Sequence, residues 1–121
     1  MDRERLLFLV GKTYLALCYY HGRGKSEDKN KALTMLKDIA NCYGGEIAMT
    51  AIGNHYRQSG DFRNAVRWYK RASYWGSKEG MRNLALCYDR GLGVDKNEKL
   101  ALLWMKQAAK HGDKDAKTVI R

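Results

Sequence analysis

The chain contains no proline, so nothing in it breaks a helix from within. Acidic residues are few: 13 Asp and Glu stand against 23 Lys and Arg, a formal charge of +10, which raises the question of an anionic partner. Cysteine is scarce and odd in number, at three. That provides no obvious disulfide framework and favours free thiols in a reducing compartment, the cytoplasm. The apolar stretch from Leu6 to Tyr20 is interrupted by Lys12 and is followed by no small-x-small cleavage site, so it reads as a core helix and neither a leader nor a membrane span. No Ser-His-Asp or Cys-His-Asn order stands out and no carboxylate pair implies acid–base work, which leaves an enzyme no residues to stand on. Cofactor and metal are likewise not expected. Cys18, His21, Cys42 and His55 lack the spacing of four converging zinc ligands, and no Lys-Ser/Thr completes a phosphate loop after the Gly-x-Gly turns.

What is present is a phrase written twice. Leu15-Ala16-Leu17-Cys18-Tyr19 precedes Gly22-Arg23-Gly24, and Leu84-Ala85-Leu86-Cys87-Tyr88 precedes Gly91-Leu92-Gly93-Val94. In both copies an alanine, Ala32 or Ala101, follows the tyrosine by 13 residues. A compressed third copy lies between them: Ile52-Gly53-Asn54-His55-Tyr56, then Ser59-Gly60-Asp61-Phe62, then Ala65. The tyrosines are 37 and then 32 residues apart, the alanines 33 and then 36. A period of this size signals stacked helix pairs, an architecture that binds more often than it catalyses.

The punctuation predicts six helices and a short tail. Asp28, Asp61 and Asn97 each stand four residues before a repeat alanine, where a side-chain oxygen satisfies an orphan backbone N–H. Glycines at Gly44-Gly45, Gly76 and Gly112 end the second helix of each pair. The first helices carry small residues at two ladder positions, Gly11, Ala48, Gly80 and Ala116, then Ala16, Gly53 and Ala85. The second helices carry the bulky layer, Met35, Trp68 and Trp104, then Leu36, Tyr69 and Met105. Small facing large is how helices pack without voids, and both tryptophans are expected to be buried between helices. The expected fold is all-α: a right-handed α-α superhelical solenoid of about three helix-turn-helix repeats, residues 3–44, 45–76 and 77–112, with a C-terminal half-repeat helix over 113–121.

The outer copies resemble Sel1-like repeats. The third matches nearly throughout: Leu84-Ala85, Tyr88, Gly91-Leu92-Gly93-Val94, Ala101, Trp104, Ala108-Ala109 and Gly112, departing at Asn97 and Leu100. The first keeps Tyr19, Gly22, Gly24, Asp28, Lys31-Ala32 and Ala40 but lacks the valine and the aromatic. The middle copy, Gly60-Asp61-Phe62, Ala65, Trp68-Tyr69 and Ala72, resembles a tetratricopeptide repeat. The resemblance implies a non-catalytic adaptor or scaffold. Some such proteins act as immunity proteins against toxins, which is an alternative role. Secreted members staple each repeat with a cysteine pair. The positions they would use read Ala40, Ser73 and Ala109 here.

In such arrays the first helices line a concave groove. By register its outward positions are Thr13, Leu17 and Tyr20; Thr50, Asn54 and Arg57; Arg82, Leu86 and Asp89. Aromatic, aliphatic, amide and guanidinium groups together suit a protein or peptide partner. Asn54 and Arg82 are candidates to clamp a carboxylate, on a partner with an acidic surface. Arg63, Arg67, Lys70 and Arg71 form a basic stripe on the fourth helix. It reads first as a solvated outer face and, as a less favoured alternative, as a nucleic-acid surface.

Overall fold

The computed structural model describes residues 3–23 and 28–119, and Gly24 and Ile120 lie outside them. Among the described residues seven helices follow one another: α1 (Arg3–His21), α2 (Lys29–Tyr43), α3 (Glu46–Gln58), α4 (Phe62–Tyr74), α5 (Lys78–Arg90), α6 (Glu98–Lys110) and α7 (Lys114–Val119). Each packs chiefly against the helices before and after it, and α3 also touches α5. That nearest-neighbour order, in helix pairs, is the right-handed α-α solenoid expected from the repeats. The described residues contain no strand.

The helices start where their caps dictate. Asp28 accepts from Lys31 N at 2.9 Å, Asp61 from Asn64 N at 3.3 Å and Asn97 from Leu100 N at 3.0 Å. Two further caps, Ser77 and Asp113, accept from Gly80 N and Ala116 N, each at 2.9 Å. At the end of α5, Gly91 adopts the left-handed conformation (φ 68°) and its N–H bonds Cys87 O, a geometry open to glycine at little cost.

The core runs between the two helix layers. Leu36, Met49, Ile52, Tyr69 and Leu84 are the largest fully buried side chains, each contributing about 1.5–3 kcal/mol of burial. The small-against-large pairing is most marked at Gly53. A Cβ there would stand 2.7 Å from the Tyr69 ring, so glycine is what lets this tyrosine enter. Trp68 and Trp104 depart from expectation: both are only partly buried. The helix turns the next position inward, so Tyr69 fills the core while Trp68 lies at the rim under the Arg71 guanidinium, 4.4 Å from its ring. Gly11 also departs. Gly80 faces Ala72 of the preceding second helix, but Gly11 is exposed and has nothing beside it, because no described helix lies before α1.

Candidate functional site

The concave side is built from α1, α3 and the start of α5. Between them runs a groove of about 530 Å³ lined by Leu17, Tyr20, Ile47, Thr50, Asn54 and Glu79, among others. Four of the nine positions chosen from sequence therefore line it. Leu86 and Asp89 border a separate recess against α6, and Thr13 an apolar one against α3. Arg57 is exposed, and neither it nor Arg82 lines the groove.

Several of these side chains are not free of packing, which corrects the sequence reading. Thr50 is 5% exposed. Its hydroxyl donates to Glu46 O at 2.6 Å and lies 2.7 Å from Ser77 Oγ, the cap of α5. Arg82, one repeat later in the same register, lies with its Nε 3.1 Å from Asp113 Oδ2, the cap of α7. Thr13 lines the same recess as Gly45, a cap without a side chain, and is buried with its hydroxyl returned to Leu9 O at 2.8 Å. One position thus braces the next repeat's helix start wherever a side-chain cap is present. Arg82 is consequently not available to clamp a carboxylate with Asn54.

Asn54 is committed too. Its Oδ1 accepts from the Tyr69 hydroxyl at 2.6 Å and from Asn83 Nδ2 at 3.3 Å, and its Nδ2 reaches Glu79 Oε1 at 3.4 Å. Burial pushes the Tyr69 hydroxyl far above its ordinary range, so it remains a donor at any physiological pH. Tyr20 ties α1 to α3 through His55 Nδ1 at 3.0 Å and Gln58 Oε1 at 3.3 Å. Partial burial first, then the charges of Lys29 and Lys37, lower the His55 pKa below its ordinary 6.5.

Sequence reasoning missed Glu46, Ile47, Ala51, Gln58, Lys78, Glu79 and His111, all of which line the groove. Ile47 and Ala51 lie one turn apart on α3, a spacing that marks one face. Lining carboxylates (Glu46, Glu79) outnumber the one lining lysine, Lys78. The basic excess of the chain lies elsewhere.

The family model described as Sel1 repeat matches residues 10–37, 47–74 and 78–113, so all three helix pairs, including the tetratricopeptide-like middle one, carry its pattern. The chain belongs to the Sel1 repeat family. An F-box protein of Arabidopsis thaliana is 45% identical over 97 residues, which span 78% of this chain and 26% of that protein. The crystal structure of a Sel1 repeat protein from Oxalobacter formigenes superimposes with a TM-score of 0.83 at 28% identity, covering 93% of this chain and 47% of that one. A protective antigen of uropathogenic Escherichia coli with the same repeat fold gives 0.82 at 28% identity, covering 93% and 25%. Helicobacter pylori cysteine rich protein B shares the fold at a TM-score of 0.78, 22% identity, and 98% and 93% coverage. The chain thus spans about a quarter of that F-box protein and less than half of the first two structures.

Sel1 repeats are generally non-catalytic protein–protein interaction modules. In this member Cys18 and Cys87 are buried and Cys42 is exposed, all three as free thiols. Among the described residues no His, Cys, Asp or Glu cluster is placed to hold a metal, and no helix is long and apolar enough to cross a membrane.

Proposed function

We propose that the concave groove binds an extended segment of a partner protein without acting on it chemically. The observation that carries this reading is the mixed lining: Leu17, Ile47 and Ala51 offer apolar contact, while Glu46, Gln58 and Glu79 supply acceptors for backbone N–H groups or cationic side chains. Family membership supports it, since Sel1 repeats generally serve as interaction modules. The lining favours a segment carrying Lys or Arg over the acidic partner that Asn54 and Arg82 suggested.

The test is selection of binders from a random peptide library. Ile47 is 57% exposed, and Glu79 is exposed as well, so Ile47→Lys with Glu79→Gln should spare the fold while opposing a cationic segment. The double variant should lose the selected peptides. Arg63→Gln, Arg67→Gln and Lys70→Gln on the outer face of α4 should retain them. The reverse pattern would move the site to the convex surface.

A further inference from the structure

The turns before α3 and α5 are built alike but are not filled alike. At the first, the Trp75 ring reaches back over Gly44, where a Cβ would stand 2.6 Å from Trp75 Cζ2. Arg71 completes the cover, stacked on Trp68 and bonded through both terminal nitrogens to Asn41 Oδ1 at 3.2 Å. At the second turn the same register places Trp104, Gln107 and His111. Here His111 bends to its own helix, its Nδ1 2.9 Å from Gln107 O, and a Cβ on Gly76 would meet nothing within 4 Å. The ring that covers Gly44 has no counterpart over Gly76. In its place is a recess of about 390 Å³ walled by Tyr74, Met81, Leu103 and Trp104.

We propose that this recess receives an aromatic side chain, indole in preference to phenyl, from the segment bound in the groove. Three observations carry it. The chain itself seats an indole at the equivalent turn. Gly76 and His111 line both the recess and the groove, so a segment lying along the groove reaches the recess without a break. Ser73, 4% exposed and lining the recess, has an Oγ with no partner among the described residues, an acceptor that an indole N–H matches and a phenyl ring does not. Ala40 and Ala109 occupy its place in the other repeats, so this hydroxyl is particular to the second junction. A buried aromatic anchor with one satisfied polar atom is the usual centre of a peptide interface.

The inference rests on the groove reading for the source of the ring, but the recess is tested without a partner. The full chain, labelled at methionine methyls and indole nitrogens, is titrated with N-acetyl-tryptophanamide and followed by NMR. Saturable shifts of the Met81 methyl and Trp104 indole signals are expected with a Kd of about 1 mM. N-acetyl-phenylalaninamide should bind about threefold more weakly, for want of the N–H to Ser73. H111W, which sets an indole before Gly112 as Trp75 stands before Gly76, should plug the recess and abolish the shifts. Leu103→Glu, on a half-exposed wall residue, is the second variant and should do the same. Absence of saturable shifts in the wild type, or their persistence in both variants, overturns the proposal. Ile47→Lys separates the two readings: it should lose selected peptides yet keep the probe. A protein that binds peptides in the groove but shows no probe binding refutes the recess alone.

Discussion

The Tyr69 hydroxyl donates to Asn54 Oδ1 at 2.6 Å, joining a fully buried ring of α4 to a side chain that lines the groove. The register counterparts of this pair are Leu17 with Leu36 and Leu86 with Met105, so a hydrogen bond holds the middle repeat where apolar side chains serve the outer two. Tyr69→Phe keeps the ring in the space left by Gly53 and removes only the donor. Urea denaturation should show a loss of about 1–2 kcal/mol, and an unaltered midpoint would mean the bond contributes nothing.

Arg82 and Asp113 should act on α7 more than on the whole array. Asp113 caps that helix and lies 3.1 Å from Arg82 Nε, with Asp113 8% and Arg82 24% exposed. Asp113→Ala removes cap and ion pair together, at a cost of about 1 kcal/mol. Hydrogen exchange should accelerate over Lys114–Val119 in both Asp113→Ala and Arg82→Ala while α3 and α4 stay protected. Uniform acceleration across the chain would show that α7 is not a separable end.

The pH response follows from His55. Its folded pKa lies below the ordinary 6.5, through burial first and then Lys29 and Lys37, so near that pH the unfolded chain binds more protons than the folded one. Stability is therefore full above 6.5 and falls as the pH drops through that value toward the folded pKa. Melting temperature should decrease between about pH 7.5 and about pH 5.5, and His55→Gln should flatten that slope. A slope of the same size in the variant would assign the effect to another group.

Thiol reactivity should divide by burial. Cys42 is exposed and Cys18 and Cys87 are buried, and burial raises the Cys87 pKa. The native protein should label quickly at Cys42 alone, the other two reacting only once urea opens the fold. Rapid labelling of Cys87 in the native state would contradict its placement.

Much of this architecture was legible in the sequence because the signals that set it are local. Asp28, Asp61 and Asn97 cap the helices they were expected to cap, and glycines close the turns. What lies between repeats was not legible. Spacing puts Thr50 and Arg82 on one face of their helices, but it does not reveal that the next helix start, Ser77 or Asp113, stands against that face and claims them. Trp68 was misplaced for a related reason: periodicity is accurate to about one position, and one position separates the rim from the core occupied by Tyr69. The groove residues Ile47 and Ala51 were passed over because apolar positions one turn apart on an amphipathic helix look like core.

On the proposed reading the concave groove, and not the basic convex stripe, is the binding surface. The direct measurement is amide chemical-shift mapping of the labelled chain with a library-selected peptide, repeated at low and high salt. Shifts are expected to centre on Leu17, Ile47, Ala51 and Glu79, with modest dependence on salt. Shifts centred on Arg63, Arg67 and Lys70, with affinity falling steeply as salt rises through counterion release and screening, would contradict it.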